Sequence, residues 1–311
     1  MKFAFGNSAI IKTYFMNYID AIILGIVQGL TEFIPVSSTA HLVFASRWTG
    51  IYAGNPQQIT ATMAVIQLGT LAAVFVYFAS DIYKISRNFL KELPIVIKSP
   101  VKAFSGATLY SPPANISLDT WLGWLIILGS LPIGTIGLLF KKAIEGEGTK
   151  NLWIISVMLI VIALLLAIAE KVGKQKRDVS KINVIDSIVI GFAQVLALMP
   201  GASRSGSTIM GGLFSGLNRE AAARFSFLLS IPAITASGLL ELREAIKILP
   251  HENFGPLLLA TVAAGVVGYA SIWFLLAFLR RNSTAIFIIY RLILGAVILL
   301  LLSNGVISPA I

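Results

Sequence analysis

Two stretches of the sequence decide how the rest is to be placed: GIVQGLTEFIPVSSTAH, from Gly25 to His41, and GFAQVLALMPGASRSGST, from Gly191 to Thr208. Both are apolar, yet both are broken by glycine, proline and runs of small hydroxyl residues, so neither fits a plain membrane-spanning helix. Aligned, Gly25 falls on Gly191, Gln28 on Gln194 and, after a one-residue gap, Pro35 on Pro200. Each stretch precedes three candidate spans. The chain therefore reads as a single membrane domain of two related halves, about 18–170 and 184–303. Because three is odd, the second half sits upside down relative to the first, and the interrupted helices of such inverted repeats meet near the bilayer midplane.

The flanking chain supports lipid as the solvent. Of 311 residues, 57% are hydrophobic and only 12% charged, where soluble domains carry roughly 25% charged residues. Mean hydropathy is +0.86. The absence of cysteine excludes a disulfide scaffold, a thiolate nucleophile and cysteine-ligated metals. A spanning helix needs about 20 apolar residues. The charge-free segments 60–80, 120–140, 151–169 and 253–279 qualify, as do 225–240, interrupted by Pro232, and 284–302, which carries Arg291. The expected fold is all-α and polytopic, with about six transmembrane helices plus two broken re-entrant hairpins. The N-terminal 17 residues show no removable signal pattern.

The net charge of +10 does not point to nucleic acid, because basic residues of membrane proteins collect in cytoplasmic loops. Lys84, Arg87, Lys91, Lys98 and Lys102 follow the first span, Lys171, Lys174, Lys176, Arg177 and Lys181 follow the third, and Arg280 and Arg281 precede the last. All three groups can share the cytoplasmic side, leaving the mixed loop 141–150 outside. The loop 81–119, rich in lysine and proline, reads as a segment lying on anionic lipid. Arg291 reads as snorkelling towards the cytoplasmic surface, Arg219 and Arg224 as interface anchors or contributors to a positive field, and His251 as incidental.

Isolated charges single out the broken stretches. Glu32 is the one charge, His41 aside, between 21 and 46, and Arg204 the one charge between 187 and 218. A lone ionisable group in an apolar segment costs at least ~2.5 kcal/mol to insert and is a functional candidate by default. The bland possibility is an ion pair that clamps the two halves together. In the second stretch Gly201 and Gly206 allow backbone amides to converge as an anion nest. Ser203, Ser205, Ser207 and Thr208 add hydroxyls, and Arg204 adds a fork suited to phosphate oxygens. In the first, Pro35 can open a short helix with Ser37 or Ser38 at its N-terminus, where the dipole favours phosphate. Ser38 and His41 share a face, which puts a hydroxyl beside an imidazole able to take its proton. Gln28 and Glu32 share another, and Glu32 can orient His41 or ligate a divalent cation. The set reads as a phosphoryl-transfer site.

The segment Gln28 to His41 resembles the first signature of the undecaprenyl-diphosphate phosphatase family, also called the bacitracin-resistance family: Glu or Gln, three residues, Glu, then Pro-Val-Ser-Ser-Thr and a His. Pro200 to Thr208 is similar to its second signature, Pro-Gly-x-Ser-Arg-Ser-x-x-Thr. Ile66-Gln67-Leu68-Gly69 and Arg219-Glu220-Ala221-Ala222 are similar to the family as well. The resemblance implies a multi-pass enzyme of the bacterial cytoplasmic (inner) membrane, with its site opening to the outer face. Its substrate would be undecaprenyl diphosphate, hydrolysed to the monophosphate, which recycles the carrier for wall synthesis and confers bacitracin resistance. It also implies Mg²⁺ or Ca²⁺ and a functional set of Glu32, Ser38, His41, Ser203, Arg204 and Thr208. With the residue chemistry above, Glu32, Ser38, His41 and Arg204 read as catalytic, Glu32 as the metal ligand, and Gln28, Ser37, Gly201, Ser203, Ser205 and Thr208 as substrate-binding. Gln28 stands where many members have Glu, leaving one carboxylate fewer for metal. Attack by Ser38 activated by His41, attack by His41, and attack by water all remain open. A transporter or flippase of an anionic lipid is the alternative function, and homo-oligomer formation is left open.

Overall fold

The computed structural model describes residues 16–106, 108–109, 111, 113–140 and 151–310. The loop 141–150, expected on the outer side, and the signal-free reading of the first residues, up to 15, lie outside the described residues. The helices are α1 (Tyr18–Phe33), α2 (Ser38–Thr49), α3 (Pro56–Tyr77), α4 (Ala79–Lys98), α5 (Pro100–Ala103), α6 (Leu118–Leu139), α7 (Leu152–Val172), α8 (Val184–Val195), α9 (Arg204–Phe214), α10 (Arg219–Ile248), α11 (Phe254–Leu279) and α12 (Ala285–Ser303), and no strand joins them among the described residues. Six of these, α3, α6, α7, α10, α11 and α12, are long and apolar enough to cross a membrane. The protein is an all-α, multi-pass membrane protein.

The pairs α1–α2 and α8–α9 are the two broken stretches, and each enters and leaves at one end of the helix bundle. At one end the Met16 amide donates to Asn253 Oδ1 at 3.1 Å, just before α11. Arg47, in the last turn of α2, donates to the carbonyls of Ser308 and Ala310 beyond α12, and the Leu152 amide opening α7 donates to Pro309 O at 2.9 Å. At the other end Arg177 donates to Asp186 Oδ1 at 2.9 Å in α8 and to Ser215 O at 3.1 Å past α9. The two hairpins thus dip in from opposite ends.

Local chemistry repeats between them. Asn17 and Asn183 cap α1 and α8, each closed by an acid three residues on, Asp20 and Asp186, in a reciprocal capping box. Ser37 and Ser203 cap α2 and α9, both at positive φ, 77° and 69°, a backbone strain of about 1–3 kcal/mol placed at the same point of each tip. Helix α1 packs on α11, and α8 on α6. A Cβ at Gly25 would lie 2.4 Å from Ala260 O, and one at Gly191 would lie 2.5 Å from Gly129 O. Small residues here let backbones approach closely, which is how helices associate in lipid.

Two sequence expectations need correction. Segment 81–119 is not a loop throughout: nearly half of it is α4, whose Ile82, Ile85, Phe89 and Val96 side packs towards the core and α6. Asn88 donates to Asp119 at 2.8 Å, and Glu92 accepts from the Ser117 amide. Pro94 sits inside α4, where its neighbours face outward and a lost amide bond is tolerated. The span expected at 225–240 runs unbroken through Pro232 as a 30-residue helix. The basic loops do gather at one end, tied by Arg224–Asp81, Arg219–Glu170 and Arg280–Glu220 ion pairs, so Arg219 and Arg224 are neutralised partners rather than free positive charges.

Gly191→Ala should force α8 off α6. Overpacking of this kind costs about 1–3 kcal/mol, read as a lowered Tm of the detergent-purified protein. Gly134→Ala, where a Cβ meets nothing within 4 Å, should leave Tm unchanged.

Candidate active site at the hairpin tips

The tips of the two hairpins meet on the Glu32 carboxylate. Glu32 lies in the last turn of α1 and is 7% exposed. Arg204, first residue of α9, donates Nη2 to Glu32 Oε1 at 2.7 Å. Ser38, first residue of α2, donates Oγ–H to Glu32 Oε2 at 2.9 Å. Gln28 Nε2 donates to Oε2 at 3.0 Å and Gln67 Nε2 to Oε1 at 3.2 Å. Ser205 Oγ–H donates to the Glu32 carbonyl at 3.3 Å. Two helix N-termini therefore converge here, and their partial positive charges add to the guanidinium in favouring an anion. The arginine is not spent on Glu32: its Nη1 is buried with no partner among the described residues.

Beneath the tips lies Arg291 of α12, 0% exposed. Its Nη2 donates to Ala202 O at 2.9 Å, Gly201 O at 3.1 Å and Met158 O at 3.3 Å, its Nη1 to Pro35 O at 3.4 Å, and its Nε to Leu159 O at 3.2 Å. It does not snorkel: three of its acceptors, the Pro35, Gly201 and Ala202 carbonyls, are non-helical, and at membrane depth such groups left unpaired would cost several kcal/mol each. The turn above it is built on Gly201, at φ +91°, where a Cβ would meet Ile155 O at 2.4 Å. Gly206 is not a turn residue as expected; it is helical, with its amide on Ser203 Oγ.

The other expected site residues fall into two groups. Ser203 caps α9 and shares a bond with Ser205 at 3.2 Å. Thr208 is fully buried and bonds Arg204 O and Ser226 Oγ, fixing α9 against α10. Pro35 does not open α2; Ser37 caps it. The expected Ser38–His41 bond is absent, and Glu32 does not orient His41. The ring instead spans Ser37 O, 2.7 Å from Nδ1, and Tyr290 Oη, 2.6 Å from Nε2. The helical turn that aligns Ser38 with His41 leaves the closer acceptor, the carboxylate, to the hydroxyl.

The donor set around Glu32 holds no group of three His, Asp or Glu among the described residues, so no closed protein cage for a metal exists there. One carboxylate and the Gln28 Oε1, buried without a partner among the described residues, fit a hard cation that takes its remaining ligands from water and phosphate. Gln67, Tyr290 and Arg291 were missed by sequence reasoning. Arg291 carried the signal that flagged Glu32 and Arg204, a lone charge in an apolar segment, and Gln67 is a lone amide in a charge-free span. Arg291→Met should strip the tips of their shared donor, lowering Tm and abolishing activity together; a variant with unchanged Tm would contradict this role.

Comparison with known proteins agrees with the motifs. A family model described as bacitracin resistance protein BacA matches residues 21–297. An undecaprenyl-diphosphatase of Syntrophobacter fumaroxidans is 50% identical over 285 residues, covering 91% of this chain and 97% of that protein. One from Nocardia farcinica is 45% identical over 312 residues, covering 94% and 98%. One from Chlorobium chlorochromatii is 46% identical over 304 residues, covering 94% of this chain and 100% of that protein. With its two broken hairpins meeting at a carboxylate–guanidinium pair and a family match over most of its length, this chain belongs to the BacA bacitracin-resistance family.

Proposed function

We propose that this protein hydrolyses undecaprenyl diphosphate to undecaprenyl phosphate and inorganic phosphate, recycling the lipid carrier and conferring bacitracin resistance. The observation that carries the reading is Arg204: buried at the meeting of two helix N-termini, with its Nη2 on Glu32 and its Nη1 without a partner among the described residues. Such a group is built to receive the oxygens of an anion. Proteins of the same family at 44–50% identity carry the name of this diphosphatase.

In the proposed mechanism the diphosphate docks on Arg204 and the first amides of α2 and α9, with Ser37, Ser203 and Ser205 shaping the tips. Ser38 Oγ attacks the terminal phosphorus while its proton passes to Glu32 Oε2, the acceptor it already faces. The bridging P–O bond breaks, and undecaprenyl phosphate leaves with the electron pair. Water then attacks the phosphoserine; Ser38 Oγ leaves, regaining the proton from Glu32, and His41 takes the proton the water loses. Arg204 follows the charge on the equatorial oxygens throughout, usually the largest contribution to such catalysis. A Mg²⁺ or Ca²⁺ held by Glu32 and Gln28 would neutralise further phosphate charge when bound.

We further infer that the basic end of the bundle is cytoplasmic, in the inner membrane. The hairpin carrying Glu32, Ser38 and His41 then enters from the outer side, and the site opens to that face. The two halves, about 18–170 and 184–303, are read as inverted repeats on the matched caps and packing. On the cytoplasmic side the exposed row Lys84, Arg87, Lys91 and Lys98 of α4 faces anionic lipid.

Phosphate release from C55-like prenyl diphosphate by purified protein tests the reading. Arg204→Ala should lower kcat/KM by at least about 100-fold, the scale of losing one charge-stabilising donor, in a protein that still folds but with a lowered Tm, because Glu32 loses its buried partner. Turnover within a few-fold of the parent would contradict it. Omitting divalent metal should slow phosphate release; equal rates with and without chelator would remove the cation from the proposal.

A further inference from the structure

We propose that Tyr290 holds the His41 imidazole in one tautomer and relays to it the proton lost by the attacking water; this rests on the phosphatase reading of the tips. The Ser37 carbonyl, 2.7 Å from Nδ1, can only accept, so Nδ1 carries the hydrogen, and in the neutral ring Nε2 carries the lone pair. At Nε2 stands the Tyr290 hydroxyl, 2.6 Å away. The two rings lie nearly parallel, 11° apart with centroids at 5.6 Å, so the phenol also fixes the plane of the imidazole. Tyr290 immediately precedes Arg291 on α12. One turn of that helix thus clasps both hairpin tips through Arg291 and the imidazole through Tyr290.

A phenol suits this place because it both donates and accepts. To the neutral ring it donates O–H to Nε2. As the attacking water loses its proton, the Tyr290 oxygen accepts it while passing its own hydrogen to Nε2, so one proton is gained by His41 and none is gained or lost by Tyr290. The protonated ring then donates Nε2–H back to the phenol oxygen. The imidazole therefore keeps its partner and its plane in both protonation states, which a carbonyl or an ammonium at the same place would not permit.

Tyr290→Phe keeps the stacked ring and removes only the hydroxyl, so Tm should hold. The expected result is a kcat at least about tenfold lower, below the full worth of an acid–base group because His41 remains, with KM within twofold. The chain has two histidines, so ¹⁵N-histidine NMR of His251→Gln protein reads His41 alone. The parent should show a protonated Nδ1 and a hydrogen-bonded Nε2, and Tyr290→Phe should move the Nε2 signal towards that of a free nitrogen or mix the tautomers. An unchanged kcat, a rise in KM at constant kcat, or unchanged His41 nitrogens would each overturn the proposal. The NMR arm uses no substrate, so failure of the parent to release phosphate would sink the phosphatase reading while the tautomer result still decides the Tyr290–His41 contact.

Discussion

Backbone carbonyls that leave a helix inside a membrane must find donors within the protein, and here one buried guanidinium supplies them for both hairpins. Arg291 collects Pro35 O from one tip and Gly201 O and Ala202 O from the other. Each of those groups unpaired would cost several kcal/mol, so the breaks at 34–37 and 199–203 exist only where this side chain reaches them. No carboxylate among the described residues pairs with Arg291. Its charge is spread over carbonyl dipoles and adds to the positive field below the tips, where an anion would be held.

Above that floor the charges are arranged economically. Glu32 accepts from Arg204, Ser38, Gln28 and Gln67, satisfying a buried carboxylate that would otherwise be expensive. The same pair ties the halves together, yet it is asymmetric: Glu32 is surrounded by donors, whereas Arg204 retains an uncommitted nitrogen. A pair meant only as a clamp has no reason to keep that capacity. The strained φ at Ser37 and Ser203 fits the same picture, since both caps aim a helix N-terminus at one point.

Much of this was legible in the sequence because lipid makes its demands in composition. Charge-free segments marked the spans to within a few residues except at 225–240, whose helix runs from Arg219 to Ile248, and Gly25/Gly191 with Gln28/Gln194 marked the broken hairpins. The matching between the two stretches includes the Asn17 and Asn183 caps, which a reading centred on glycine and proline passes over. What failed was side-chain direction. Spacing put Ser38 and His41 on one face, but it could not show that Glu32, from the preceding helix, would take the serine and leave the imidazole to Tyr290, 249 residues away. Arg291 was misplaced because snorkelling is the usual fate of an arginine in a span, and only the folded chain shows carbonyls waiting for it. Pro232 read as an interruption, although it sits in a helix that runs on past it.

The most direct measurement replaces both charges of the central pair with apolar residues of similar bulk, Glu32→Met with Arg204→Leu, and follows phosphate release from prenyl diphosphate alongside Tm. If the pair forms the phosphate-receiving and proton-accepting centre, the double variant stays folded and releases no phosphate. Turnover close to that of the parent would mean that the two charges only hold the hairpins together, and that the chemistry lies elsewhere.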